Sequence, residues 1–277
     1  MEEASAIDAL GTGITGGEPL LKLDYVIECI RAIKAKLGPG HHIHLYTGLL
    51  PDGGVLASLK QAGLDEIRFH PPLSVWSNPE GLFQVLSQAK SLGLMAGVEI
   101  PAIVHAPAIV KAVMDADAFL NLNELEFSET NYARLAEEGF MPVELGCGAV
   151  GSESVAMEYF QDAGLKAHYC PSRFKDAVQL KERLLRRARR TSRPFDYVSE
   201  EGTVIHGTIE GDIEGALQVL RELEVPLDMY SCLQDRIDIA APILEDITDE
   251  LKGINCILCI VERYPIEDGP VVERIPL

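Results

Sequence analysis

A short segment near the amino terminus combines residue types that could hold a charged ligand. It reads Gly16-Gly17-Glu18-Pro19 and stands where an apolar strand is predicted to pass into a helix. Two adjacent glycines let backbone carbonyls approach a ligand closely, and Glu18 adds a carboxylate for a cationic group. Pro19 suits the first position of a helix. The segment therefore predicts a ligand-binding turn, and a tight strand-to-helix turn without a ligand is the alternative.

The elements that position this turn alternate between short β runs and amphipathic helices. Strands are predicted at 13–17, 43–47, 66–70, 95–100 and 119–123, with helices at 20–37, 54–63, 79–92 and 107–115. Repeated β-α units imply parallel strands in a barrel or a doubly wound sheet. In either architecture the site lies at the carboxyl ends of the strands. Each predicted strand ends in a polar residue or a break, so we expect these residues to share one rim and one pocket, although each alone also fits a turn or cap.

The turn resembles the motif by which radical S-adenosylmethionine (SAM) enzymes hold the amino end of SAM. Two further segments, Asn121-Leu122-Asn123-Glu124-Leu125-Glu126 and the thirteen residues from His168 to Leu180, resemble a largely archaeal branch related to pyruvate formate-lyase activating enzymes. The resemblance covers roughly residues 5 to 210. It implies SAM and a [4Fe-4S] cluster as cofactors, an electron donor such as ferredoxin or flavodoxin, and radical chemistry on an unidentified substrate.

The resemblance also implies roles for single residues. Residues 16–18 would hold the methionyl amine, and the following strand ends would lie near the cofactor or the substrate. The expected SAM-binding residues are Gly16, Gly17, Glu18, Thr47, His70, Glu99, Asn121 and Asn123. The expected substrate-binding residues are Glu124, Cys170, Lys175, Gln179 and Arg183.

One part of the family pattern is missing. The motif Cys-x3-Cys-x2-Cys, which binds the cluster, normally precedes the Gly-Gly-Glu segment, but none of the fifteen residues before Gly16 is a cysteine. Cys29 stands alone in the apolar face of a predicted helix and is interpreted as a small buried hydrophobe. We therefore expect the cluster cysteines upstream of Met1 and interpret the chain as a truncated frame. A cluster-free homologue is the alternative.

Other candidate metal ligands are weaker. His42 and His44 share one face of a strand, but they stand at its start, opposite the expected rim, so a structural role is favoured. Cys256 and Cys259 have Cys-x2-Cys spacing, yet residues three apart in a strand point to opposite faces. Cys170 ends a strand and is either an accessible thiol near the site or a plain buried cysteine. No metal site is predicted within this chain.

Composition excludes some functions. The chain has 277 residues, 47% of them hydrophobic, and a formal net charge of -19. A field of this sign repels phosphate, which argues against a nucleic-acid or anionic-membrane binder as a whole. Membrane spans need about 20 apolar residues and secretory signals a basic start, and neither is present. The six cysteines follow no extracellular disulfide pattern, so a cytoplasmic location is predicted.

Charge is unevenly spread along the chain. Residues 173–193 carry nine basic side chains against Asp176 and Glu182, a local charge of +7 that leaves -26 elsewhere. These cations either neutralise acidic surface, or Lys175, Gln179 and Arg183 reach an anionic substrate over the pocket.

The sequence predicts two domains. Residues 1–194 form a radical SAM-like partial (β/α) TIM-type barrel that lacks its first strand and includes a basic helix at 172–193. Residues 195–277 form an α+β extension. Its predicted elements are a hairpin within 195–207, helices near 212–223 and 240–251, strands near 226–230 and 255–263, and a loop after Pro265.

Three classes of function remain open. We favour a radical SAM enzyme or a fragment of one. A cluster-free (β/α)-barrel lyase or isomerase would use Glu18, His70 and Glu99 as acid-base groups. A non-catalytic protein would bind RNA or another polyanion through the basic helix.

Overall fold

A computed structural model describes residues 1–266 and 269–277, apart from the side chain of Asp176. The chain divides into two compact units. The first unit comprises Met1–Ser5 and Ala9–Ala177, and the second comprises Ala6–Asp8 and Val178–Leu277. The boundary that the sequence predicts near residue 194 lies inside the second unit. No helix in the described part of the chain is long and apolar enough to span a membrane.

The first unit is built on a six-stranded parallel sheet whose strands follow chain order. The α/β class predicted from the alternating pattern is confirmed. Within the described residues the pairing leaves the first and last strands as edges, so it does not show a closed barrel. The strands are β1 (Gly11–Ile14), β2 (His42–Thr47), β3 (Glu66–Phe69), β4 (Met95–Pro101), β5 (Phe119–Asn123) and β6 (Lys166–Cys170).

Helices connect these strands, and local sequence explains several of their ends. The Asp52 side chain accepts hydrogen bonds from the backbone N–H groups of Gly54 and Val55 and so caps the third helix. Gly63 ends that helix at a φ of 110°, which favours glycine. The helices are α1 (Glu2–Ala6), α2 (Leu23–Leu37), α3 (Gly53–Ala62), α4 (Leu82–Ser91), α5 (Pro107–Asp115), α6 (Tyr132–Glu137), α7 (Ser152–Tyr159) and α8 (Ser172–Phe174).

The two faces of the parallel sheet differ in chemistry. Alternate residues of β2 and β5 are buried, and these belong to the apolar core of the unit together with residues of α2 to α5. The residues between them are only partly buried, and many are polar. Both faces of a parallel sheet are usually apolar, so polar side chains on one face indicate a site. The polar face carries His42, His44, Tyr46, Glu66, Arg68, Glu99, Asn121 and Asn123.

The second unit contains an antiparallel sheet, ordered β12-β11-β8-β10-β9, with β7 paired to β8. The predicted hairpin around Glu201 and Gly202 is formed by β7 and β8. The prediction of a loop after Pro265 is wrong, because β12 pairs with β11 there. The strands are β7 (Tyr197–Val198), β8 (Val204–Gly211), β9 (Tyr230–Cys232), β10 (Arg236–Ile239), β11 (Cys256–Arg263) and β12 (Val271–Pro276).

Helices of the second unit close an apolar core over one face of this sheet. The basic helix runs on from α8 through a π-helical segment, Lys175–Leu180, into α9 (Lys181–Thr191). Its predicted extent agrees with this run, but the six π-helical residues interrupt the regular spacing on which its predicted faces depend. The other helices are α10 (Ile213–Glu222), α11 (Ala241–Asp246) and α12 (Thr248–Leu251).

Candidate functional site

The Gly-Gly-Glu turn is fastened to the neighbouring strand by the carboxylate of Glu18. Oε1 of Glu18 accepts hydrogen bonds from Thr47 Oγ1 at 2.7 Å and from the Leu20 N–H at 3.1 Å. Oε2 accepts one from the Gly48 N–H at 2.8 Å. Charge-assisted bonds of this kind are stronger than neutral ones. The carboxylate therefore braces the end of β1 against the end of β2 and caps the 3₁₀ turn that Pro19 begins.

The two glycines before Glu18 present open backbone. Gly16 has a φ of 136°, in the region that favours glycine. A Cβ added at Gly16 or Gly17 would meet no atom within 4 Å. The backbone at these positions can therefore be approached closely by a ligand.

A second group of polar residues centres on Arg68, on the polar face of the sheet. Its Nη1 donates to Tyr46 Oη at 2.8 Å and to Glu99 Oε2 at 2.9 Å, and its Nε donates to Glu66. Burial favours the neutral form, but the hydrogen bond and charge of Glu66 outweigh it and raise the pKa of the guanidinium. Burial, with the charge of Glu99, also raises the pKa of Tyr46.

Glu99 connects this arginine to the ends of β4 and β5. Its Oε1 accepts a hydrogen bond from Asn123 Nδ2 at 2.9 Å, and its Oε2 accepts one from Asn121 Nδ2 at 3.2 Å. The Glu99 side chain is only 14% exposed. Four partly buried groups therefore hold one another in a single arrangement, which satisfies the buried charge.

His70 stands between the Glu18 group and the Arg68 group. Its backbone N–H donates to the carbonyl oxygen of Thr47 at 2.8 Å. Its Nδ1 lies 2.6 Å from the carbonyl oxygen of Glu99, and a hydrogen bond there places the ring proton on Nδ1. The His70 side chain is exposed, so Nε2 remains available to a ligand.

His44 extends the polar face toward the start of β2. Its ring packs edge-on against Tyr46, with ring centroids 5.3 Å apart, and a Cβ at Gly13 would lie 2.7 Å from its Nε2. Glycine at position 13 thus gives the ring its place against β1. Burial and the charge of Arg68 lower the pKa of His44. Its buried Nδ1 makes no hydrogen bond.

Residues at the ends of β5 and β6 form a third group. Oε2 of Glu124 accepts hydrogen bonds from the backbone N–H and the hydroxyl of Ser172, both at 2.7 Å. Lys175 Nζ lies 2.7 Å from Glu126 Oε1. Burial opposes the charge of Lys175, but Glu126 outweighs it and raises the pKa of the amine. Burial raises the pKa of the Cys170 thiol. Glu124 therefore anchors the start of the basic helix.

The structure brings some predicted residues together and separates others. Thr47 alternates with Leu45 on the apolar face and contacts Glu18, whereas Glu99, Asn121 and Asn123 contact one another on the polar face. The strand ends share one edge, but these side chains form two contacting groups rather than one. Gln179 and Arg183 are exposed and belong to the second unit. The SAM and substrate roles of all these residues stay predictions.

Sequence reasoning missed the residues at the centre of the second group. Tyr46, Glu66 and Arg68 lie inside β2 and β3, whereas attention to strand ends selected only Thr47 and His70 there. The alternation of polar and apolar residues along His42-Ile43-His44-Leu45-Tyr46 was the available signal. It marks a strand with one polar face.

The described residues leave room for a cofactor amine but supply no set of ligands for an iron-sulfur cluster. The open backbone at Gly16 and Gly17 suits a cofactor amine. By contrast, the described part of the chain contains no group of three or more His, Cys, Asp or Glu residues placed to hold a metal ion, and all six cysteines are free. His42 and His44 lie with ring centroids 5.8 Å apart at the start of β2.

The sheet and its polar edge define an α/β protein with a candidate ligand site at the carboxyl ends of parallel strands. A protein of Methanocaldococcus jannaschii named "Putative glycyl-radical enzyme activating enzyme" is 35% identical over 301 aligned positions, which span the whole chain and 78% of that relative. The chain belongs to the family of this protein, which supports the radical SAM relationship inferred from the sequence.

A family model and two solved structures also match the chain, but neither indicates a function. Residues 202–277 match the family model described as "Domain of unknown function (DUF8061)". Two mutant forms of tryptophan synthase alpha-subunit from Pyrococcus furiosus are 17% and 16% identical, cover 65% and 66% of this chain and are covered to 84% themselves. Both give a TM-score of 0.34, too low to establish a common fold.

Proposed function

We propose that the first unit is the SAM-binding part of a radical SAM protein, with a partial barrel formed by β1 to β6. The observation that carries the proposal is the turn of Gly16 and Gly17, held open by the Glu18 brace at the carboxyl end of the sheet. The family relationship supports a cofactor as the ligand of this turn. When bound, the family's cofactors supply one-electron chemistry for hydrogen abstraction from a substrate.

Each group of residues then has a distinct task. Glu18 uses its oxygens on Thr47, Gly48 and Leu20, so it shapes the turn and leaves the cofactor amine to the backbone of Gly16 and Gly17. A preorganised polar group lies at the ends of β4 and β5 and consists of Glu99, Asn121 and Asn123. His70 has its Nε2 available to a ligand at the same edge of the sheet. Held by mutual hydrogen bonds, these groups need little reorganisation when a ligand arrives.

The polar face beside this edge is proposed to receive the substrate. The name of the relative adds a glycyl-radical enzyme, a protein, to the substrate classes, beside a small or anionic molecule. A ferredoxin or flavodoxin as electron donor remains part of this proposal.

The contacts disfavour the two alternative functions. In the lyase alternative Glu18 and Glu99 act as acid-base groups, but in the structure both carboxylates accept hydrogen bonds from protein groups that fix their orientation, which favours a positioning role. Two cations of the basic helix, Lys175 and Lys181, pair with Glu126 and Glu201 at 2.7 and 2.8 Å, which reduces the charge that the helix offers to a polyanion.

The test is SAM binding by the 277-residue chain, measured by equilibrium dialysis. Gly17→Ala adds a methyl group into open space, so the chain should keep its melting temperature and lose SAM affinity about tenfold or more, because the ligand needs that space. Gly40→Ala is the matched control, because its Cβ also meets no atom within 4 Å. SAM binding by Gly17→Ala at unchanged affinity, or no SAM binding by the unsubstituted chain, contradicts the proposal.

A further inference from the structure

The second unit contains a cavity of about 950 Å³. The described residues that line it come from the end of α9, from β8, β10 and β11, and from the loops beside them, and all of them belong to the second unit. Small-molecule sites in proteins have volumes of this order. The cavity therefore belongs to a different part of the chain from the Gly-Gly-Glu turn and the polar face of the first unit.

One buried side chain on the cavity wall has a ring nitrogen without a partner. The side chain of His206 is 1% exposed, and its Nε2 has no hydrogen-bond partner among the described residues. Buried polar atoms of this kind are uncommon, because nothing compensates their desolvation. Since His206 lines the cavity, a group that occupies the cavity can supply the missing partner.

The other ring nitrogen of His206 determines what Nε2 can do. Nδ1 lies 3.2 Å from Asp196 Oδ1, whereas Nη2 of Arg193 lies farther away, at 3.4 Å. Burial alone would raise the pKa of the Asp196 carboxyl, but the hydrogen bonds from His206 and Arg193 lower it, so this carboxylate stays ionised. An ionised carboxylate only accepts hydrogen bonds, so the ring proton lies on Nδ1. In the neutral ring, Nε2 is then a hydrogen-bond acceptor.

A second acceptor faces this nitrogen. Oδ2 of Asp238 lies 3.7 Å from Nε2 of His206, and the Asp238 side chain is 2% exposed. Oδ2 accepts a hydrogen bond from Nη1 of Arg193 at 2.7 Å, and Oδ1 accepts one from Nε of Arg236 at 2.9 Å. A carboxylate oxygen has two lone pairs, so Oδ2 can accept a second bond. A ligand group with two hydrogens can therefore donate one to Nε2 and one to Oδ2.

The charges beside the two acceptors favour an uncharged donor. Arg193 and Arg236 both contact Asp238, so an ammonium group at this place would lie near two guanidinium charges. Alkyl amines are protonated at neutral pH, as the lysine side chain is. An N–H2 group stays uncharged when its nitrogen is conjugated to a heteroaromatic ring or to a carbonyl group, and such groups are planar.

Apolar side chains supply another part of the cavity wall. Val204, Leu233 and Ile266 belong to the lining, and the side chains of Leu233 and Ile266 are exposed. Ligand sites commonly combine an apolar wall with a few polar groups that fix the orientation of the ligand. This wall can therefore cover the planar body of a molecule whose N–H2 group reaches His206.

We propose that this cavity binds an uncharged small molecule that carries an N–H2 group on a planar body, as an amino-substituted nucleobase or a carboxamide does. The N–H2 group donates one hydrogen bond to Nε2 of His206 and one to Oδ2 of Asp238, and Leu233 and Ile266 contact the planar body. The proposal concerns the second unit only and does not depend on the SAM site.

The experiment uses the 277-residue chain labelled with ¹⁵N-histidine and observed by NMR. His206→Gln assigns the His206 signals by their loss. Without ligand, we expect Nδ1 of His206 to carry the proton and Nε2 to carry none. Cytidine should shift the Nε2 signal in a saturable way, with a dissociation constant of about 1 mM or below. Uridine has a carbonyl oxygen in place of the N–H2 group and should leave the signal unshifted, because that oxygen cannot donate a hydrogen bond.

Nicotinamide and its N,N-dimethyl derivative form a second matched pair, in which only nicotinamide has the two N–H hydrogens. Saturation by cytidine identifies an amino-substituted nucleobase as the ligand class, and saturation by nicotinamide identifies a carboxamide. Saturation by neither compound leaves water as the partner of Nε2 and overturns the proposal. Equal binding of uridine and cytidine, or a proton on Nε2 in the absence of ligand, also overturns it.

Leu233→Ala tests the apolar part of the wall. It should weaken binding about threefold or more, because less apolar surface is buried against the ligand. Leu227→Ala is the matched control, because Leu227 is 81% exposed in the same unit and does not line the cavity, and it should bind within about twofold of the parent chain. The melting temperature of each variant with and without ligand gives a second readout that does not need the His206 signal. Equal losses of affinity in the two variants overturn the proposed position of the ligand.

Discussion

At the scale of single residues, the first unit has charged side chains on a face that is usually apolar in a parallel sheet. Glu66 is 6% exposed and Arg68 is 21% exposed, so neither charge is solvated as it would be in water. Their mutual pairing, together with Tyr46 and Glu99, compensates the desolvation. If one partner of the pair is removed, the loss in the free energy of unfolding therefore depends on the buried charge of the other partner.

Arg68→Met should test this dependence. It leaves the buried carboxylate of Glu66 without its main partner, so we expect a loss of about 2–4 kcal/mol in the free energy of unfolding. Chemical denaturation measures the loss. The double variant Glu66→Gln, Arg68→Met should recover part of it, because the charge of Glu66 is removed and only that of Glu99 is left without the guanidinium. A double variant less stable than Arg68→Met would show that the two residues do not act as a pair.

His44 gives the polar face a pH dependence. Its folded-state pKa is lowered from 6.5, so the unfolded chain takes up a proton first as the pH falls. The stability that neutral His44 contributes is present above pH 6.5 and is lost as the pH falls from 6.5 toward the folded pKa.

His44→Gln should therefore show a flatter fall in unfolding free energy between about pH 7 and 5 than the parent chain, whose extra slope cannot exceed about 1.4 kcal/mol per pH unit for one proton. His168→Gln is the control, because His168 is exposed on β6. Parallel slopes in the parent chain and His44→Gln would contradict the assignment.

At the scale of elements, the sequence predicts what local pattern determines and misses what pairing between strands determines. The bounds of β5 and α5 agree with prediction, because alternating buried leucines mark β5 and a proline start marks α5. Strand β1 begins two residues before its predicted start, because glycine-rich Gly11-Thr12-Gly13 carries little apolar signal. The sequence predicts a loop where strand β12 lies; all six side chains of β12 are exposed, and its pairing with β11 defines it as a strand.

In the candidate site, too, features set by local sequence could be predicted and features set by pairing between strands could not. The turn at Gly16 could be predicted because glycine, glutamate and proline each have a local role there. Arg68 could not, because its partners come from β2 and β4 and meet it only through the strand register. The antiparallel order of the strands in the second unit could not be predicted for the same reason.

The turn between β7 and β8 offers a test at this scale. Gly202 has a φ of 83°, and an added Cβ would lie 2.5 Å from the backbone nitrogen of Leu185 in α9. Gly202→Ala therefore combines a strained backbone with a clash against a helix, and we expect a loss of at least about 2 kcal/mol in unfolding free energy. Gly253→Ala, with open space around its Cβ, should change it by less than about 0.5 kcal/mol. Similar losses of unfolding free energy in the two variants would show that α9 moves to accommodate the added methyl group.

At the scale of the whole molecule, the family relationship predicts an iron-sulfur cluster, whereas the cysteines of this chain do not supply its ligands. Family members are expected to use a cluster held by three thiolates, whereas the cysteines of this chain are at positions 29, 147, 170, 232, 256 and 259, none of them in Cys-x3-Cys-x2-Cys spacing. All six are free, and the described residues contain no metal-binding group of three. The iron content of the 277-residue chain can therefore be predicted from its ligands.

After anaerobic reconstitution with iron and sulfide, we expect this chain to retain no more iron than a variant in which all six cysteines are replaced by serine. A three-thiolate site needs three cysteines that converge, whereas Cys29 stands alone in α2. Cys256 and Cys259 lie on opposite faces of β11, because they are three residues apart in the strand. Iron and acid-labile sulfide analysis, with assay of SAM cleavage, measures the outcome. About four irons and four sulfides per chain, present in the parent and lost in the serine variant, would show that cysteines far apart in the sequence come together to hold a cluster.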